Sequence, residues 1–416
     1  MARIPPMKVV ALVAVFALAS NLVAEEDPGV SAIAKGNNEF AVDLYRRLGA
    51  KDGNLFLSPY SVTSALAMCW AGARGNTEAE MAKALRFSLP QERLHDAMGA
   101  LTADLNGRVH EGRWDQDPDK GRKPFELTVA NALWSQKGYP FRKNYRDLVG
   151  KAYGAGLTEL DFSADAEGAR RTINGWVEGR TNRRIKDLIA RGMLTPDARL
   201  VLTNAIYFKA AWAEAFRPED TKEEEFRVAG GAAVKVPMMR RTDHFRYLDG
   251  DGFQAVELPY LGGELTMVAL VPKAADGLAA LEAKLTAADL DAWIAKMEHA
   301  RIRLGMPRFR TECTFQLAPE LRAMGMKDAF VYPAADFTGM SETKELYIGL
   351  VIHKSFVDVD EKGTEAAAAT AVVMLAGAAR PSEPIPLTID RPFLFLIRDA
   401  KTGAILFLGR ILDPRG

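Results

Sequence analysis

Two cysteines in 416 residues, Cys69 and Cys313, are too few for a disulfide-stapled scaffold or a cysteine-based metal centre. An exported chain could bridge the two. However, Cys69 lies in the apolar stretch 65–71 and Cys313 in an alternating segment, so both are expected to be free and buried. Histidine is equally scarce: His95, His110, His244, His299 and His353 are the full set, and none stands at metal-ligand spacing from another. No charge of either sign dominates. Lys plus Arg equals Asp plus Glu at 54 each, which removes any general electrostatic reason to expect nucleic acid or an anionic membrane as partner. There is no Asn-x-Ser/Thr sequon, Gly-x-Ser-x-Gly elbow, His-Glu-x-x-His pair, phosphate-binding loop or Cys-x-x-Cys. A Ser-His-Asp triad built from distant residues stays open on composition alone. With no local signature behind it, the expectation is that the chain is not an enzyme, and no cofactor or metal is expected.

The longest hydrophobic run is Val9 to Ala19, preceded by Arg3 and Lys8 and followed by Leu22-Val23-Ala24 before the acidic Glu25-Glu26-Asp27. It has the length of a signal h-region and is short for a bilayer span, so 1–24 read as a secretory signal and the protein as secreted or periplasmic. A membrane anchor is the alternative, and the absence of a nearby cysteine excludes a lipoprotein. No linker or repeat divides the remainder, so 25–416 read as one domain. With 48% hydrophobic residues, it has ample material for a large core.

Helical spacing predicts an amphipathic helix over Val30–Leu48. The uniformly apolar Ser61–Trp70 predicts a buried helix. A further helix is expected over Asn76–Leu85, with Thr77 as cap and Glu80 three residues on. Residues 106–124 are Gly-rich with mixed charge and read as a surface loop. A polyanion patch there is weak, and polyanion binding is not expected. Strands are predicted over Leu127–Trp134, Leu200–Phe208, Phe253–Pro259, Leu265–Val271, Ile302–Cys313, Leu346–Val359 and Leu387–Ile397, with a helix over Ile173–Ile189. Helices early and strands late, without regular alternation, make an α+β pattern.

The informative stretch is 357–375, Val-Asp-Val-Asp-Glu-Lys-Gly-Thr-Glu-Ala-Ala-Ala-Ala-Thr-Ala-Val-Val-Met-Leu. Four alanines favour helix, while Thr370, Val372 and Val373 favour strand, so the segment is conformationally ambivalent. Read with period two, Thr364, Ala366, Ala368, Thr370, Val372 and Met374 form one uncharged face that could be buried cheaply, with Glu365 on the other. By itself this could be a flexible Ala-rich linker or a short helix.

The run 361–371 resembles the hinge of inhibitory serpins. Leu387-Thr-Ile-Asp-Arg-Pro-Phe-Leu-Phe-Leu-Ile397 is similar to the family's C-terminal signature. Asn54-Leu-Phe-Leu-Ser-Pro-Tyr-Ser61, Thr203-Asn-Ala-Ile-Tyr-Phe-Lys209 with Trp212, Asp336-Phe-Thr-Gly-Met-Ser341 and Val351-Ile-His-Lys354 match further blocks in family order. The overall likeness is to secreted, prokaryotic-like members. Ala210 departs from the usual Gly before the Trp block, and a local packing adjustment is expected there.

The resemblance implies a serpin fold with three β-sheets, about nine helices and an exposed reactive loop over about 361–386. It also implies a monomer that inhibits a target serine protease, or a papain-like cysteine protease, as a suicide substrate. The protease is acylated at the loop, and the cleaved loop enters the central sheet as a new strand. The implied hinge is Glu361, Gly363, Thr364, Glu365, Ala366, Ala367, Ala368, Ala369 and Thr370. The implied shutter is Ser58, Ser61, Asn204 and His353, and the implied entry point is Trp212, Arg308 and Glu361. Counting by the family's usual loop spacing places the reactive bond at Gly377-Ala378, with Ala376 and Leu375 as alternatives. Arg380 is disfavoured because Pro381 follows it. Small residues around that bond fit an elastase-like or subtilisin-like target. A non-inhibitory member acting as chaperone or carrier is the alternative.

Overall fold

The computed structural model describes residues 27–109, 125–154, 157–364 and 383–416. The expected signal at 1–24, most of the charged loop and the segment 365–382 lie outside the described residues.

Local chemistry starts the chain well. Helix α1 (Pro28–Leu48) is capped by Asp27, whose carboxylate accepts from Gly29 N at 2.8 Å, has Pro28 at its first position and carries Arg46 and Arg47 in its last turn. Strand β1 (Leu55–Leu57) leads into α2 (Pro59–Trp70), capped by Ser58 and buried along its whole length, as a helix of apolar and small hydroxyl residues with no charge allows. Then come α3 (Gly75–Ala84), α4 (Gln91–Gly107), β2 (Phe125–Gln136), α5 (Lys143–Tyr153), β3 (Leu157–Leu160), α6 (Phe162–Arg180) and β4 (Leu200–Ala211). The chain continues through β5 (Lys222–Arg227), β6 (Ala233–Asp249), β7 (Phe253–Pro259), β8 (Leu265–Pro272), α7 (Leu278–Lys284) and α8 (Ala287–Ala295). It ends with β9 (Glu298–Pro307), β10 (Phe309–Gln316), α9 (Ala318–Ala323), β11 (Leu350–Asp360), β12 (Gly363–Thr364), β13 (Ile385–Thr388), β14 (Phe393–Asp399) and β15 (Ile405–Ile411).

The fold is α+β, with nine α-helices among the described residues. One sheet has six strands in the order β10-β11-β12-β4-β2-β3, with β11 also pairing directly with β4. The other runs β1-β15-β14-β8-β7-β6-β9-β13, with β5 attached to β6. The implied three sheets are therefore hydrogen-bonded into two networks. The reason is β6, which is 17 residues long and pairs with β5 and β9 along one part and with β7 further on. The main core lies between the two sheets and helices α1 to α5. A second, smaller core lies between the six-stranded sheet and α6, around Trp134, Phe162, Ile173 and Phe356.

Several element boundaries differ from the sequence reading. The helix expected over 173–189 is α6, which starts at Asp161's cap and ends at Arg180. Asn182 and Arg183 then take left-handed backbone conformations that stop it. Arg308 breaks 302–313 into β9 and β10, and Pro392 separates β13 from β14. Helix α3 is entered from Arg74. Thr77 instead accepts from Asp336 N at 2.9 Å, and Glu80 accepts from Lys327 N and Asp328 N at 2.8 Å each, so the two residues hold a distant loop. Both cysteines are free and buried.

Candidate functional site

The six-stranded sheet carries a seam. Strands β4 and β11 run parallel and pair directly from Val201 opposite Leu350 to Ile206 opposite Ser355, and no further. Beyond that point β12 stands between them. Gly363 lies opposite Ala211 on one side and Asp360 on the other, and Thr364 lies opposite Ala210 and Val359. A two-residue wedge thus already occupies one end of the seam.

Each wedge residue is fixed by its surroundings. Gly363 has φ 148°, and a Cβ on it would lie 2.1 Å from the Ala210 carbonyl oxygen and 2.8 Å from Ala211 Cα, so only glycine fits. The Ala210 methyl, by contrast, is buried without disturbing the pairing, and that accommodates the departure noted above. Thr364 is 1% exposed and shares a 2.7 Å hydrogen bond with Tyr260, whose ring stacks on Trp212 at 4.7 Å. Trp212 in turn donates its indole N–H to Asp360 O at 3.0 Å and its backbone N–H to Lys362 O at 2.9 Å.

Glu361 anchors the wedge. Its buried carboxylate accepts from both Nε (2.8 Å) and Nη2 of Arg308 and from the Thr221 hydroxyl at 2.5 Å. Burial pushes this carboxyl up, but the bonds from Arg308 and Thr221 outweigh it and hold the group below its ordinary range. The three entry residues expected from sequence are therefore brought together. Tyr260 and Thr221 complete the set, and no local sequence pattern pointed to either.

The second cluster lies under the paired part of the seam. His353 on β11 and Asn204 on β4 lie opposite one another, and Nδ1 of His353 bonds Asn204 Oδ1. Nε2 of the same ring accepts the Ser58 N–H at 3.0 Å, which fixes the neutral tautomer with the proton on Nδ1. Asn204 Nδ2 donates to Ser61 Oγ at 2.6 Å, and Ser58 Oγ donates to Leu406 O at 2.7 Å. All four residues expected from sequence meet here. A fifth, Asn131 on β2, binds Ser61 through both its side-chain amide and its oxygen. It could have been found as the lone amide in the apolar run 129–134, which the strand pairing sets opposite Asn204.

On the outer face of the sheet β11 is tied to its surroundings beside the seam. Lys354, 8% exposed, donates to Lys186 O at 2.7 Å and pairs with Glu312 at 2.8 Å. It thereby ties the segment after α6 to β11 and β10. Of the expected hinge, Glu361, Gly363 and Thr364 are placed. Glu365, Ala366, Ala367, Ala368, Ala369 and Thr370 lie outside the described residues, as do Leu375, Ala376, Gly377 and Ala378.

Burial lowers the His353 pKa to about 3 and, despite the neighbouring Asp96, that of His95 to about 4. Both folded values fall below the unfolded one near 6.5, so the stability carried by the neutral rings is complete above that pH and drains as pH drops toward them. Stability is expected to fall by about 1.4 kcal/mol per pH unit for each ring below about pH 6.5. Urea unfolding at pH 7.0, 6.0 and 5.0 checks this, with His95→Gln removing about half of the slope. A flat midpoint over that range contradicts it.

A family-wide sequence model described as "Serpin (serine protease inhibitor)" matches residues 35–414. The uncharacterized serpin-like protein TK1782 of Thermococcus kodakarensis is 41% identical over 94% of this chain and 87% of its own. The leukocyte elastase inhibitor of Equus caballus is 39% identical over 92% and 99%. Human thyroxine-binding globulin, solved in complex with thyroxine, superposes with a TM-score of 0.82 at 29% identity, over 93% of this chain and 100% of that one. The expectation of no enzyme, drawn from missing motifs, gives way to the family's own description, serine protease inhibitor, with a thyroxine-binding globulin sharing the fold. A seam with a glycine-threonine wedge at its mouth, a family match over nearly the whole chain and these relatives agree: the chain belongs to the serpin family.

Proposed function

We propose that this protein inhibits a serine endopeptidase irreversibly: the enzyme's serine attacks a peptide carbonyl within 365–382 and is acylated by it, the C-terminal side leaves as a free amine, and the cleaved segment then inserts between β4 and β11. The observation that carries the reading is the β12 wedge, which has both neighbours paired and an open continuation. Extended at the same register, each residue onward steps one back along β4 and β11, so the sixth beyond Thr364 stands between Asn204 and His353. That residue is Thr370. Insertion to this depth separates the two hydrogen-bonded side chains, which makes them the latch.

The same register explains why both faces of the segment are small. Ala366, Ala368 and Thr370 would join Thr364 against the main core. Ala367, Ala369 and Ala371 would slide beneath the layer built by α6 and Ile185, Leu188 and Ile189. A large side chain on either face would force the interior apart.

The reactive bond is assigned to Gly377-Ala378, with Ala376 and Leu375 next in order, and the target to an elastase-like or subtilisin-like enzyme. The test mixes the protein with an elastase, a subtilisin and a trypsin. The expected result is a stoichiometric, SDS-stable complex with one of the first two, and a released C-terminal fragment beginning at Ala378, or at Gly377 or Ala376 for the two alternatives. A complex formed fastest with trypsin, with a fragment starting at Pro381, would overturn the assignment. Turnover of the loop without any complex would favour the carrier reading, to which the globulin solved with thyroxine lends its fold.

A further inference from the structure

Away from the seam, a cavity of about 370 Å³ opens where α1, α3 and α9 end. Arg46 and Arg47 come from α1, Lys83 from α3 and Arg86 from the turn after it. Asp43 is the one carboxylate in the lining, and Ala84, Ala323 and Met324 form its apolar part. In a chain whose formal charges cancel, four cations about one opening are a local excess. Part of it is consumed by the fold. Arg86 binds Asp43 through Nε at 3.0 Å and Nη2 at 2.6 Å, and Arg47 donates to Ala323 O at the end of α9 at 3.0 Å. The three helix C-termini offset about half a charge each. The remainder is still positive. The Lys83 ammonium has no hydrogen-bond or ion-pair partner among the described residues, and the Arg46 side chain makes one long contact, 3.5 Å to Ala283 O. Arg86 also holds a left-handed backbone, φ 60°, where glycine would sit without strain, so its side chain is kept there at a conformational cost.

We propose that this cavity is a binding site for a multivalent oxyanion, a molecule bearing two or more phosphate or sulfate groups. Lys83 and Arg46 are the principal ligands, and Arg47 and Arg86 contribute the N–H groups their present bonds leave over. The site lies outside the inserting sheet and stands independently of the inhibitory reading. It also revises the expectation that the protein binds no polyanion, though at a different place from the loop first considered for one.

Calorimetric titration of the full chain at low salt, with inorganic tripolyphosphate and with a fully sulfated disaccharide as separate probes, tests the site. Saturable binding of at least one is expected, with a rise in melting temperature. Lys83→Ala and Arg46→Ala should each weaken it about tenfold, as loss of a charge-assisted bond does. The exposed control Lys143→Ala should leave it unchanged. Tighter binding of tripolyphosphate assigns phosphate esters as the natural class, and tighter binding of the disaccharide assigns sulfated glycans. If neither probe saturates, or if the control weakens binding as much as the site variants, the proposal fails. Lower melting temperatures in the site variants with probe affinity unchanged would mean that these cations only cap the helices, and would overturn it equally.

Discussion

Thr364→Arg is expected to abolish stable complex formation while leaving the loop cleavable. Thr364 is the innermost placed residue of the wedge, 1% exposed, with its hydroxyl committed to Tyr260. An arginine there would have to enter the main core beside Val359, Ala210 and Tyr260, where no carboxylate waits for it. Leaving a charge buried and unpaired costs several kcal/mol, about 3–5 by the precedent of broken buried pairs. The variant therefore keeps its loop end outside the sheet. The protein still folds, because the six-stranded sheet closes directly through β4 and β11, but insertion loses its first step. Each 1.4 kcal/mol added to that step shifts the partition between trapping and hydrolysis about tenfold. The measurement is the stoichiometry of inhibition with whichever protease the wild type traps, read beside an SDS gel. Cleaved variant and active protease are expected. A covalent complex at near-unit stoichiometry would remove the hinge assignment.

Cleavage near Gly377 is expected to raise the melting temperature by about 10 °C, a shift that takes on the order of 8 kcal/mol in a chain of this size and that a full added strand can supply. Direct pairing of β4 with β11 stops at Ile206 and Ser355, and both strands run on past that point, to Ala211 and Asp360. An inserted strand would pair with both, close the mouth and bury its own Val372 and Met374. The intact loop is held at both ends, by β12 and by β13, and so cannot make this move until it is cut. The same preparation, melted before and after limited proteolysis, gives the answer. Equal midpoints would rule out insertion and with it the proposed mechanism.

Much of the site was legible through family likeness. A glycine followed by threonine and a run of small residues is ambivalent by itself and is identified as a hinge through its likeness to the family's. Gly363 is found where no Cβ fits. Family likeness matches Ser58 to the latch, and the structure adds that it also caps α2, whose start the apolar run from Ser61 does not reveal. Arg308 and Glu361 are 53 positions apart, and family likeness alone joined them before their bond was seen. Tyr260, Thr221 and Lys354 were missed because their roles depend on partners far along the chain, and one tyrosine or lysine in a strand has the same local pattern whichever way it points.

The sequence by itself determined the class of fold, the buried character of α2, the free state of the two cysteines and the uncharged face of the loop. These follow from composition and periodicity acting over a few residues. The tertiary structure decided where strands break, at Arg308 and before Phe393. It also decided that three implied sheets merge through the long β6, and that Asn131 completes the cluster around His353. Those outcomes rest on register between strands distant in the chain. Register is set by which faces can be buried together, a property of the assembled sheets that no local window of sequence contains.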